Sequence, residues 1–292
     1  MTPSLSLWKF HGFPNRIPPE VQRAFASKND FSFIRNLTLA DIPDHLLPFG
    51  TANLPPKVFL WGDSHAMAIL PAIDAACKES GISALAATSS ATPPVIGWYS
   101  RSTDGLGEAS LPYNQAVLDY ILSSVAHHHL SCVILVAKWG AYLDTSNQSF
   151  QTALAHTVGE LNKSGCKIIL IQQVPEFPFD VPKTLALDMV WGRDTQLHAI
   201  SVKDYAAVSR AQTDLFSKIA STTPNFTVVN PGPALADQNG FILPRDQDGP
   251  LYRDSDHLSI HGSLRLKDVF LNLIAAPGPS KLRPVAGWAA WF

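Results

Sequence analysis

The sequence predicts an α/β fold, a three-layer α/β/α sandwich around a central parallel sheet of about five strands. Two observations carry this. Short apolar, often β-branched runs recur along the chain, most of them followed by a segment with the periodicity of an amphipathic helix. The first of these runs stops abruptly at Gly62-Asp63-Ser64-His65, where an amphipathic pattern begins at once. That is the pattern of a buried strand, a tight turn and a helix. Right-handed crossovers put the carboxyl ends of all such strands on one side, so residues just beyond them share one edge of the sheet.

Residues 1–56 are rich in proline and aromatic residues and lack sustained periodicity, as an N-terminal extension or spacer wrapped on a core would. A short helix suits 19–27, and 31–34 either adds a strand or covers an edge. From residue 57 the alternation begins. A strand at 58–61 leads to a helix at 66–80, closed by Gly81, and a strand at 82–88. The irregular stretch 89–112 holds Trp98, Tyr99 and Arg101. Loops at the carboxyl ends of parallel strands line the ligand crevice, so this stretch is either an acceptor-binding rim or a packed surface loop. Residues 113–127 have helical periodicity and end at His127-His128-His129. Consecutive helical side chains point about 100° apart and do not converge on a metal as i, i+4 ligands do, so a polar helix end is expected there.

A β-branched run at 133–137 suits a strand buried on both faces, and 150–163 a helix with Gly165 just past its end. Residues 167–174 repeat the strand signature. The proline-punctuated stretch 175–191 reads as a second rim or a packed loop. An amphipathic helix at 202–220, a short strand at 226–230 and a final helix at 264–274 follow. The α/β domain thus spans 57–276. Residues 277–292 form a tail whose Trp288, Trp291 and Phe292 suit docking on the domain, on a membrane surface or on a partner.

At 292 residues and a net charge of −2, with no basic stripe, the composition argues against nucleic acid, whose recognition rests on phosphate neutralisation. No window has the length of uninterrupted apolar residues that a membrane helix needs, and the first residues lack a basic segment followed by an apolar one, so no export signal is expected in this chain. Cys77, Cys132 and Cys166 are odd in number and widely spaced, as buried free thiols rather than a disulfide or metal framework.

The chemistry concentrates at the two ends of the α/β pattern. Ser64 stands at a strand's carboxyl end and just before a helix amino terminus, where unsatisfied N–H groups and the helix dipole favour a developing oxyanion. Gly62 permits a tight turn, and Asp63 offers a carboxylate to hold it. The spacing is not the G-x-S-x-G elbow of α/β-hydrolases. A serine needs a base and an orienting group. In LYRDSDHLSIHG, residues 251–262, Asp254 stands three residues before His257 and can reach its Nδ1, leaving Nε2 for the serine proton. Asp256 is the rival acid, but adjacency to His257 directs its side chain elsewhere. Ser259 is the expected N-cap of the following helix. Such chemistry requires no metal and no cofactor.

Gly62-Asp63-Ser64-His65 together with Asp254-x-x-His257-Leu258-Ser259 resembles the SGNH (GDSL-like) hydrolase superfamily. More narrowly, the chain is similar to the SGNH domains fused to membrane acyltransferases of the acyltransferase-three family, which O-acetylate cell-envelope polysaccharides. That likeness rests on Pro93-Pro94 after the second strand, Lys138-Trp139 closing the third, and Val174-Pro175-Glu176 with Asp180-Val181-Pro182 after the fourth. The resemblance implies Ser64 as nucleophile, His257 as base and Asp254 as its orienting acid. The superfamily takes further oxyanion donors from a glycine and an asparagine. Trp139 stands where that asparagine is expected, and Lys138 where the fused subgroup has arginine. Asp63, His65, Lys138 and Trp139 are the candidates for oxyanion or substrate contact. The resemblance implies an O-acyl, specifically O-acetyl, esterase or transferase acting on envelope carbohydrate, with a membrane acyltransferase domain as partner and a periplasmic or envelope location. A cytoplasmic enzyme is the alternative that the missing export signal leaves open. The alternative activity is a non-catalytic glycan-binding or acceptor-presenting module, for which the unassigned oxyanion donors speak.

Overall fold

The computed structural model describes residues 19–29, 31–143, 148–194 and 198–275. Six strands form one sheet: β1 (Leu47–Gly50), β2 (Pro56–Gly62), β3 (Ser83–Thr88), β4 (Cys132–Val136), β5 (Lys167–Ile171) and β6 (Phe226–Val229), in the order β1-β3-β2-β4-β5-β6. All neighbours are parallel except β1, which pairs antiparallel with β3 at the edge. The central strands are buried on both faces, which is why they read as continuous apolar runs rather than alternating ones.

Helices cover both faces. One apolar core joins the sheet to α2 (Ser64–Glu79), α5 (Val181–Val190) and the last described helices, α8 (Ile260–Leu264) and α9 (Lys267–Ala275). The other joins it to α3 (Ser110–Ala126), α4 (Gln148–Lys163) and α7 (Arg210–Thr222). The architecture is therefore the α/β/α sandwich expected. Outside the sandwich, α1 (Pro19–Ala26) packs against α5. Cys77, Cys132 and Cys166 are buried free thiols, and burial pushes the first two up to about 12.

Three expectations change. Residues 31–34 form no strand; the edge is completed instead by β1, inside the presumed extension and in a proline-containing stretch that reads as turn. The proline-punctuated stretch 175–191 contains α5, because Pro182 lies in its first turn, where a missing N–H costs nothing, and Asp180 caps it by accepting from the Lys183 N–H at 3.0 Å. The helix expected over 202–220 is two, α6 (Val202–Val208) and α7, parted at Ser209. The Ser209 hydroxyl donates back to the Tyr205 carbonyl at 2.9 Å, a bond that bends helices. The tail residues Trp288, Trp291 and Phe292 lie outside the described residues.

Register fixes what meets at the carboxyl edge. Gly62 of β2 lies beside Val136 of β4 on one side and Thr88 of β3 on the other. The residues just beyond, Asp63-Ser64, Lys138 and Ser89-Ser90, therefore share that edge.

Candidate active site

The turn carrying Ser64 is built by close approach. A Cβ on Gly62 would lie 1.9 Å from the Val136 carbonyl oxygen and 2.7 Å from the Ala66 Cβ, so any larger residue would push β2 off β4. Asp63, with no exposed surface, caps α2 by accepting from the His65 N–H at 2.8 Å. Its other oxygen accepts from the Lys138 N–H at 2.9 Å and the Tyr142 hydroxyl at 2.8 Å. Burial and the Asp63 charge push the Tyr142 hydroxyl far up, so it stays a donor. All of these partners are the protein's own, so Asp63 clamps the turn after β2 to the turn after β4. Ser64 is the first residue of α2, and no described group accepts its N–H.

His257 arrives from the far end of the chain. Ser259 caps α8 by accepting from the Gly262 N–H at 3.0 Å and donates to the Pro250 carbonyl at 2.8 Å. A Cβ on Gly262 would fall 1.9 Å from the Leu251 carbonyl, so α8 lies tight on the strand-like approach to the loop. Ser263 then joins α8 to α2, accepting from the Ala72 N–H and donating to the Ile69 carbonyl, both at 3.1 Å. Pro71, which interrupts the α2 ladder, sits between those two positions.

These contacts bring the loop over Ser64. His257 Nε2 is 2.8 Å from Ser64 Oγ, and its Nδ1 is 2.9 Å from Asp254 Oδ2. The other Asp254 oxygen accepts from the His257 and Asp256 N–H groups at 2.7 and 3.0 Å, which fixes the carboxylate against the loop. Arg253 Nε lies 3.6 Å from Asp254 Oδ2.

Asp256 does not point elsewhere. Its Oδ1 is 3.4 Å from His257 Nδ1, while its Oδ2 is 2.5 Å from Lys138 Nζ and 3.5 Å from His65 Nε2. The tight turn around Asp254 folds it back, and Lys138, reaching from the end of β4, draws it in. Lys138 Nζ also lies 3.4 Å from Glu176. His65 is buried with its ring 4.6 Å from that of His257. Trp139 falls outside the cleft: it is fully buried, and its indole donates to the Ile171 carbonyl at 2.7 Å. An indole that large, following a central strand, fills the core under β5 rather than facing solvent.

Burial opposes a charge on His257, but the bonds from Asp254 and Asp256 outweigh it and push its pKa up to about 9. Burial would raise both carboxylates; His257 chiefly, with Lys138 and His65 helping at Asp256, holds them below the usual range. Lys138 likewise stays charged despite burial because of Asp256 and Glu176. His65, Asp256 and His257 present ligand atoms within 4.8 Å of one another. The Lys138 ammonium already occupies the Asp256 oxygen, and both His257 nitrogens have protein partners, so the donor set does not suit a metal.

Ser64 and His257 open into a cleft of about 1190 Å³. Phe33 and Ile34 from the N-terminal segment and Met67 and Pro71 from α2 line one wall; Trp98 and Arg101, from the loop after β3, line another. That loop is pinned by buried Asn114 on α3, which donates to the Pro93 and Val95 carbonyls at 3.0 and 2.8 Å and accepts from the Trp61 indole at 3.2 Å. Trp98 rests edge-on against Phe150, ring centres 4.9 Å apart. Tyr142, Asn114 and the orientation of Asp256 are the site features that sequence reasoning misses. Each acts through a contact between residues far apart in the chain.

A serine at the turn between a central parallel strand and its helix, faced by an Asp-x-x-His loop from the other end of an α/β/α sandwich, defines the SGNH class of domain. The model of the SGNH domain (fused to AT3 domains) matches residues 35–272, and the chain belongs to that family. Among solved structures, the periplasmic domain of a lipopolysaccharide acetyltransferase from Salmonella ser. Paratyphi A is similar in fold, with a TM-score of 0.63 at 18% identity over 89% of this chain and 98% of that one. No curated protein matches the chain. Among the described residues, no helix is long and apolar enough to cross a membrane.

Proposed function

We propose that the protein is a serine-dependent O-acyl esterase or transferase acting on cell-envelope carbohydrate. The observation that carries this reading is the 2.8 Å approach of His257 Nε2 to Ser64 Oγ with Asp254 behind the ring. Ser64 attacks the carbonyl carbon of an ester as His257 takes the hydroxyl proton. The negative oxygen of the tetrahedral intermediate is met by the Ser64 N–H at the start of α2. Collapse expels the alcohol, which takes the proton back from His257, and leaves an acyl-serine. Water or a sugar hydroxyl, deprotonated by His257, then attacks the acyl-serine carbonyl, and collapse of the second tetrahedral intermediate breaks the bond to Ser64 Oγ, which takes the proton back from His257.

Family membership supports an envelope setting and a membrane acyltransferase domain as partner, since AT3 domains are what these SGNH domains are fused to. The acetyltransferase neighbour supports acetyl as the group carried. The cleft far exceeds the volume of an acetyl group and supports a bulky glycan, with Trp98 among its lining as an aromatic contact for a sugar. One observation favours a non-catalytic glycan-binding or acceptor-presenting module: Ser64 N–H is the one oxyanion donor assigned.

The two readings part in a single experiment with a fluorophosphonate probe and p-nitrophenyl acetate. Labelling and turnover that vanish in Ser64→Ala are expected of the enzyme. Signals equal in both proteins, or absent from both, would overturn it in favour of the binding module.

A further inference from the structure

We propose that Lys138 is a positioning residue, which offsets the charge of Asp256 and so limits how strongly a second carboxylate competes with Asp254 for the His257 Nδ1 proton. The inference rests on the serine chemistry proposed above.

Two carboxylates flank one imidazole. Asp254 Oδ2 lies 2.9 Å from Nδ1 and Asp256 Oδ1 3.4 Å from the same nitrogen. A base that must be neutral to accept the serine proton is held charged over a wider pH range by a second negative neighbour, which also offers its N–H a different direction. A buried carboxylate also needs a partner of its own. Lys138 supplies one at 2.5 Å from Asp256 Oδ2, and the Ser255 hydroxyl donates to Oδ1 at 3.0 Å, engaging the oxygen that faces His257.

Lys138 is held for this purpose at both ends. Its backbone N–H donates to Asp63, the residue before Ser64, and its ammonium is bracketed by Asp256 and Glu176. Asp63, Lys138 and Asp256 thus form a polar chain from the turn that bears Ser64 to the loop that bears His257. The charged and titratable groups around His257 are Asp254 and Asp256 from its own loop, with Arg253 3.6 Å behind Asp254. His65 faces it from α2, and Lys138 and Glu176 lie beyond Asp256. Buried His65 closes the Asp256 side of the network, 3.5 Å away. Of these, Lys138 is the cation in direct contact with the competing carboxylate.

The test measures the titration midpoint of His257 by NMR, alongside the pH profile of p-nitrophenyl acetate hydrolysis. Lys138→Met is expected to raise the midpoint by about one pH unit, and to move the acid limb of the rate profile up with it, about a tenfold loss of rate below the midpoint. Lys138→Arg should keep the native midpoint. Asp256→Asn should lower it and, combined with Lys138→Met, reduce the effect of the second substitution to less than half. An unchanged midpoint in Lys138→Met, or an equal shift with and without the Asp256 carboxylate, would overturn the proposal. Should Lys138→Met fail to fold, an unchanged midpoint in Asp256→Asn does so alone. The NMR midpoint needs no turnover: if it moves as expected in a protein that the fluorophosphonate does not label, the proposed function falls and the coupling stands.

Discussion

His257 carries the pH dependence of the proposed chemistry. Only the neutral imidazole accepts the Ser64 proton, and the two carboxylates push its pKa up to about 9. The rate constant for p-nitrophenyl acetate is therefore expected to climb through neutral pH and level off above about pH 9; a profile flat from pH 6 to 10 would contradict the assignment. Stability runs the other way. A pKa raised above the ordinary histidine value of 6.5 stabilises the fold fully below that pH and ceases to do so as pH passes about 9. The urea midpoint should fall between pH 6 and 10 more steeply than in His257→Ala, which is expected to fold and to lose several orders of magnitude of turnover. Tyr142 gives a structural counterpart. Tyr142→Phe removes one of the bonds to buried Asp63 and is expected to cost about 1–3 kcal/mol in urea unfolding.

At the scale of elements, the geometry depends on how α8 lies against α2. Ser263 both accepts from and donates to the α2 backbone across that contact, and it is fully buried. Ser263→Ala leaves the Ala72 N–H buried without a partner and is expected to destabilise by about 1–3 kcal/mol. It should also lower turnover, because the Asp254–His257 loop runs directly into α8. Full stability and full rate together would show that the hydroxyl is dispensable. The Gly62 position is stricter. Gly62→Ala sets a methyl against the Val136 carbonyl, and soluble expression or the melting temperature should reveal a loss above about 3 kcal/mol. Both contacts explain why the elements are easier to read than their meeting. Strand β2, the Ser64 turn and the Asp254-x-x-His257 spacing are local patterns, and each announces itself in a few consecutive residues. Edge strand β1 does not, since Pro48 and Gly50 suit a turn as well as a short edge, and only pairing with β3 decides. The fold of Asp256 toward His257 is likewise invisible in the sequence: its direction is set by Lys138, 118 positions away.

For the molecule as a whole, the sheet and the site are one cooperative object. Trp61 and Trp139 are both fully buried and sit on strands or turns that abut Ser64 or Lys138. Fluorophosphonate labelling and tryptophan fluorescence should therefore decline along one urea curve; labelling lost well before fluorescence would mean that the Asp254–His257 loop opens independently. The alternation of apolar runs along the chain makes the sandwich legible from sequence, whereas the cleft walls are not, since Phe33, Trp98 and Ile260 come to line one cleft only when the chain is folded. The hydroxyl and the imidazole that bind each other are 193 positions apart. On a ribosome this ordering predicts a nascent polypeptide without the proposed reactivity toward esters until α8 and α9 have left the exit tunnel and docked on α2.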